Sequence, residues 1–283
     1  MDRDYLRRSG PALTTQFANP PIVELIAELR WPFVGSREFQ DAPAGSTFSF
    51  GTPQTEIDAF LTRFGSAISA LGYTNAERVV PQGVPSVPGQ PVYRYRSPSH
   101  EGILIQSGWG VATVNATPPH YQSWTNFTPR LRELLAALTV ARADDVEPYY
   151  HASIRYIDAF DPAWLGGKSP SAFARDVLGF SVNLPGPIDA HRETADAPRA
   201  AIQLAFPIHN GMRARVTVGE GIANGNEALI YDTLLGVDDP VGPAADAVFA
   251  KLDEAHSIVH EMFEGVTQPI RSQMQPIENP THG

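Results

Sequence analysis

From Ile22 to Arg30 the chain alternates, with Leu25, Ala27 and Leu29 on one parity and Glu24, Ile26 and Glu28 on the other. A period of two predicts a strand buried on one face. The strand ends in Leu29-Arg30-Trp31, and the same apolar-Arg-aromatic triplet returns as Ile154-Arg155-Tyr156 inside a second predicted strand, 149–160. Each copy is followed by a helical segment, three strand-like runs and another helix.

After the first strand comes a Gly/Ser/Pro-rich loop, 35–53, and then a helix capped by Thr55. Ile57, Phe60, Leu61, Phe64, Ile68 and Leu71 form its apolar stripe, and Gly72 ends it. Strands are predicted over 92–97, 102–106 and 111–116. A helix follows from Ser123, with Phe127, Leu131, Leu134, Leu135 and Leu138 inward; Pro129 either starts it at Thr128 or kinks it.

In the second half Ser169-Pro170 opens a short helix ending at Gly179, and a polar loop covers 181–198. Strands are predicted over 200–208, 212–218 and 228–236, with Asn210-Gly211 and Asn224-Gly225 as hairpin signals and Gly219-Glu220-Gly221 as a turn. The final helix begins near Pro243 and carries Phe249, Leu252, His256, Val259, Phe263 and Val266 on one stripe.

This order predicts an α+β fold: an antiparallel sheet built from two β-α-β-β-β-α pseudo-repeats, helices on one face, curved like a saddle or a helix-grip. At the level of fold it resembles TATA-binding-protein-like and helix-grip architectures, which carries no role with it. The expected organisation is an N-terminal arm over 1–20, a first half over 21–148 and a second over 149–283, joined as one body.

Composition narrows the chemistry. Among 283 residues there is no cysteine, which removes disulfides, thiolate metal sites and cysteine nucleophiles. A net charge of −10 works against a phosphate backbone, so nucleic acid is disfavoured as a partner. The charged N-terminus lacks an apolar leader core and no run is long enough to span a bilayer, so the expectation is a soluble cytoplasmic protein without membrane contact.

Four stretches, NPPIVELIAELRW, YQSWTNF, SIRYIDAF and AHSIVHEMFEGVT, occur in an order that resembles a sporadically distributed prokaryotic protein family of about this length. The resemblance implies a bacterial or archaeal protein with no assigned reaction and a place in accessory or defence-type gene neighbourhoods. It brings no catalytic residue. One departure stands out: Asp158 follows Arg155-Tyr156-Ile157 where the family pattern implies Asn, replacing a donor-acceptor amide by a carboxylate.

No nucleotide, cofactor or nucleophile motif is present. His256 and His260, four apart on a helix, are a weak metal candidate, since His256 also lies on the apolar stripe and reads better as a hydrogen-bonded, partly buried structural histidine. Arg30 and Arg155 suit either strand-bracing ion pairs or an anionic ligand. Arg94 and Arg96, like Arg213 and Arg215, alternate along strands as solvated charge or a basic strip, and Tyr93 and Tyr95 point the other way into the core. Trp124 reads as a packing anchor or a ligand-stacking ring, and Tyr156 and Asp232 complete the set of ligand- or partner-binding candidates.

The leading expectation is a non-enzymatic binding or assembly protein that recognises a protein partner or its own copy, without a cofactor. The first alternative is an enzyme or small-ligand binder with a pocket between sheet and helices. The second is nucleic-acid binding on a saddle face.

Overall fold

The computed structural model describes residues 15–32, 54–84, 86–118, 120–142, 147–194, 196, 198–237 and 239–277. Residues 1–14 of the expected arm and the loop 35–53 lie outside the described residues. The chain runs through strands β1 (Gln16–Phe17) and β2 (Ile22–Arg30), helix α1 (Gln54–Ala70), strands β3 (Asn75–Arg78), β4 (Pro91–Arg96), β5 (Ile103–Gly108) and β6 (Val111–Ala116), and helix α2 (Trp124–Ala141). Then follow β7 (His151–Phe160), the short helices α3 (Pro162–Leu165), α4 (Pro170–Asp176) and α5 (Gly186–Asp189), and strands β8 (Ile202–Ile208), β9 (Met212–Ala223) and β10 (Asn226–Val237). Helix α6 (Ala245–Thr267), a 3-10 turn (Gln268–Ile270), α7 (Arg271–Met274) and β11 (Pro276–Ile277) close the described chain.

Nine strands form one antiparallel sheet in the order β3-β4-β5-β6-β2-β7-β10-β9-β8, and β1 pairs separately with β11. The two strands bearing the apolar-Arg-aromatic triplet are neighbours at its centre, with Leu25 opposite Tyr156 and Arg30 opposite His151. Alternation sorts their side chains as expected: Leu25, Ala27, Leu29 and Ile154 are fully buried. Helices α1, α2 and α6 cover that face, and α4 covers its far end, where Phe173 packs on Phe160, Leu229 and Tyr231. Arg30, Arg155 and Asp232 belong to the opposite parity and the opposite face.

Several boundaries differ for local reasons. Helix α1 starts at Gln54, so Thr55 lies inside its first turn instead of capping it. Helix α2 starts at Trp124, capped by Ser123, and Pro129 is internal. The helix therefore does not begin at Thr128. The Thr125 carbonyl, which a residue with an N–H at 129 would bond, instead accepts the Thr128 hydroxyl at 3.1 Å. Strand β3 escapes the pattern because Asn75–Arg78 is polar and exposed throughout.

The Asn-Gly turns form as expected, with Asn224 and Gly225 both at positive φ, 52° and 78°. Gly219-Glu220-Gly221 is not a turn: these residues continue β9 opposite Ile230, Leu229 and Ala228. A Cβ on Gly221 would stand 2.6 Å from Ile230 Cγ1, so glycine here makes room for a cross-strand side chain and carries no turn information.

Candidate ligand pocket

Between the sheet and α6 lies a cavity of about 80 Å³, enough for several water molecules. Strand alternation supplies its floor. Tyr156 and Asp158 stand two apart on β7, on the parity that faces the helices, and β10 places Thr233 opposite Tyr156 and Tyr231 opposite Asp158. Helix α6 supplies the roof, His256 and His260 falling four apart and therefore on one face. Tyr121 and Trp124 enter from the start of α2, whose capping Ser123 accepts the Asn126 N–H at 3.2 Å.

The mouth is crossed by residues 15–20. Thr15, Gln16, Phe17 and Pro20 line the cavity, and the segment is tied down from the C-terminal side. Strand β1 pairs with β11, the Ala18 and Asn19 N–H groups bond the Gln275 and Met274 carbonyls, and the Arg271 guanidinium lies over the Phe17 ring at 5.6 Å.

One side of the pocket is a connected polar chain. The hydroxyls of Tyr121 and Tyr156 are 3.2 Å apart, and Tyr156 Oη lies 2.7 Å from His256 Nδ1. His256 stacks on Trp124 at 4.3 Å and 10°, while Trp124 Nε1 donates to Asp253 at 2.6 Å. Whichever atom carries the proton of the Tyr156–His256 bond, it occupies Nδ1, so Nε2 is the nitrogen left to the pocket. Burial, helped by neighbouring His260, pushes the His256 imidazole down to about 3, so the ring is neutral at ordinary pH. Burial likewise raises the phenol of Tyr121 to about 12 and that of Tyr156 well above the usual range.

The other side is unsatisfied. Asp158 is 3% exposed, Thr233 1% and His256 4%. Among the described residues Thr233 Oγ1 and His256 Nε2 have no partner in hydrogen-bond geometry, although the Tyr231 phenol lies close to Thr233, and neither an ion pair nor a hydrogen bond reaches the Asp158 carboxyl. Burial first, and the charge of Asp232 second, raise that carboxyl to about 8, so at neutral pH it holds its proton. Buried polar atoms without partners are uncommon in folded proteins, and three converging on one cavity mark a place built to meet something else.

Of the six ligand-binding candidates drawn from sequence, three meet here: Trp124, Tyr156 and His256. The other three sit across the sheet in completed ion pairs. Arg155 forks onto Asp232 through Nε and Nη2 at 2.8 and 2.6 Å, and Arg30 reaches Glu28 at 2.7 Å. His260 Nε2 faces Glu264 at 3.3 Å outside hydrogen-bond geometry, and burial lowers its imidazole against the opposing pull of that carboxylate. Among the described residues no group of three or more His, Asp or Glu side chains is arranged to hold a metal.

Sequence reading passed over Tyr121 and Thr233, and singled out Asp158 only as a departure from a pattern. The signal was present for Asp158, which shares strand parity with Ile154, Tyr156 and Phe160, an acid on an apolar face. No helix among the described residues is long and apolar enough to cross a membrane. Neither the protein-family models nor the curated proteins give a match to this chain.

Proposed function

We propose that this protein binds a small organic ligand in the pocket between the sheet and α6. The observation that carries the reading is the meeting of Asp158, Thr233 Oγ1 and His256 Nε2, each at least nine-tenths buried and none satisfied, in a cavity otherwise walled by rings. Such a mixture of apolar wall and a few convergent polar atoms is what small-molecule sites share. The polar atoms orient the ligand, and Phe17 with its strap sets how much of it is enclosed. Any ligand larger than a few heavy atoms displaces residues 15–20 from the mouth.

Thermal unfolding against a fragment library tests the reading. A ligand at a hundred times its dissociation constant adds about 2.7 kcal/mol, or roughly 5 °C for a chain of this size. Thr233→Leu, which fills the cavity, abolishes the shift. If no compound moves the wild-type midpoint, the reading is wrong.

Assembly through a sheet edge is a second reading, favoured by β8. This edge strand, Ile202–Ile208, carries no charged side chain and leaves Leu204 42% exposed, so its first part is open to pairing with another strand, while Pro207 removes an N–H near its end. Light scattering across a concentration series decides it, a monomer at every concentration being fatal. The duplicated origin of the two halves is part of the same proposal; it is supported by the strand order, in which β4-β5-β6-β2 and β8-β9-β10-β7 run outward to inward in matching sequence on either side of the centre.

A further inference from the structure

Asp158, Thr233 Oγ1 and His256 Nε2, three of the unsatisfied groups lining the cavity beside His260 Nε2, share a property: each is able to accept a hydrogen bond. An ionised Asp158 is acceptor-only, Thr233 Oγ1 has lone pairs, and His256 Nε2 is a bare lone pair when Nδ1–H donates to Tyr156, which then donates to Tyr121. A primary ammonium has three N–H donors, and it is the common head group that satisfies three converging acceptors at once. The walls suit a cation. Phe17, Tyr121, Trp124, Tyr156, Tyr231 and Phe263 turn six rings toward the cavity, and no Lys or Arg lines it among the described residues. An anion finds no cationic side chain there.

We propose that the ligand's head group is a small organic ammonium, R–NH3+, held by Asp158, Thr233 Oγ1 and His256 Nε2 within this aromatic wall; the proposal rests on the pocket being a ligand site. Ionising Asp158 beside the ammonium replaces a neutral acid with a buried, hydrogen-bonded ion pair, the condition under which an enclosed charge is tolerated. The groups that face the carboxyl are Tyr156 on its own strand, Tyr231 beside it and Asp232 through the sheet on β10, Tyr121 ahead of α2, and His256 and His260 on α6. Strap residues 15–20 bring no ionisable side chain. The phenols titrate higher and the imidazoles lower, so around pH 7 the proton that leaves on binding is that of Asp158.

Probes on one three-carbon skeleton separate this from the broader reading. n-Propylammonium chloride, 1-propanol, propionamide and sodium propionate are of similar size, present different head groups and are small enough for the cavity. Calorimetry on the full chain, in buffers of contrasting ionisation heat and against a sodium chloride control, is expected to show propylammonium binding at least tenfold more tightly than the other three. Close to one proton is released per ligand at pH 7, and affinity rises about tenfold per pH unit up to pH about 8. In Asp158→Asn, whose folding is checked by its own unfolding midpoint, propylammonium loses at least tenfold in affinity and the proton release disappears. Should propanol or propionamide bind as well as the amine, or the amine bind without releasing a proton, the ammonium assignment fails and the pocket stands as a site for uncharged ligands. Should propionate bind best, the assignment fails in favour of an anion. Silence from all four probes overturns the ammonium, and a fragment screen that is also silent removes the ligand site itself.

Discussion

Trp31 and Tyr156 end the same apolar-Arg-aromatic triplet, Trp31 just past the end of β2 and Tyr156 within its neighbour β7, with opposite surroundings. Trp31 is 1% exposed and closed in on every side: Phe60 lies at 5.4 Å, Tyr149 meets it edge-on at 5.9 Å, and the Arg142 guanidinium sits 4.9 Å above the ring. Tyr156 instead borders a cavity, its hydroxyl bonded to Tyr121 and His256. Strand alternation fixes which way each aromatic points. What the helix opposite offers decides whether the ring becomes core or site: α1 presents Phe60, Phe64 and Ile57, while α6 presents two imidazoles.

The comparison implies a large asymmetry in stability. Trp31→Ala removes a buried ring from a filled region and is expected to lose about 3–5 kcal/mol, measured by denaturant unfolding. Tyr156→Phe keeps the ring and deletes only the hydroxyl that orients His256. It is expected to lose about 1 kcal/mol, with most of its effect on ligand binding. Equal losses at the two positions would erase the distinction between core and site.

That distinction explains what could be read from the chain. The central strands were legible because Leu25, Ala27, Leu29 and Ile154 keep strict parity, and the hairpins because Asn-Gly pairs need no tertiary context. The polar edge strand β3 had no apolar face to betray it. Within the site, His256 and Trp124 were visible as residues but not as a stacked pair, since their contact joins α2 to α6 across 132 positions of chain. Arg30, Arg155 and Asp232 were legible as charged strand residues; that Arg155 and Asp232 complete each other on the far face follows only from the register of β7 and β10, whereas Arg30 closes on Glu28 two residues away on its own strand.

Asp158 sharpens the contrast through pH. The unfolded chain releases this proton near 4, whereas the folded chain keeps it to about 8, so the group favours folding below pH 4 and withdraws that support as pH rises from about 4 to 8. His256 acts in the other direction. Its folded imidazole is held near 3, so stability falls as pH drops from about 6.5 to 3, when the unfolded ring takes up a proton first. Asp158→Asn is expected to gain about 2–4 kcal/mol over wild type at pH 9 and to lose its advantage towards pH 4, less than full linkage gives because the amide also needs partners. A pH series of unfolding midpoints in which the two proteins run parallel would contradict the buried acid.

Thr233 offers a smaller test of the same idea. Its Oγ1 is buried beside the cavity without a partner, so replacing it by the isosteric valine removes an unmet hydrogen-bonding group at no loss of volume. Thr233→Val is expected to be neutral or to gain up to about 1 kcal/mol while weakening ligand binding. A residue whose removal stabilises the fold and harms binding is retained for the site. Loss of stability by more than about 1 kcal/mol would point instead to a structural hydroxyl.

The smallest effect belongs to the sheet's other face, where binding candidates turned into braces. Arg155 Nε and Nη2 fork onto Asp232, but the arginine side chain is 38% exposed, so solvent and salt screen much of the attraction. Arg30 grips Glu28 on its own strand, where the pair ties no two strands together. A double-mutant cycle with Arg155→Ala and Asp232→Ala is therefore expected to give a coupling of about 0.5–1 kcal/mol that shrinks in molar salt, and Arg30 with Glu28 about half as much. The Arg30–Glu28 pair is not expected to change affinity in the pocket, because it points away from it. Asp232→Ala is expected to lower the pH at which ligand binding saturates, because it removes the through-sheet repulsion by which Asp232 helps keep the Asp158 carboxyl protonated; an unmoved pH profile would contradict that coupling.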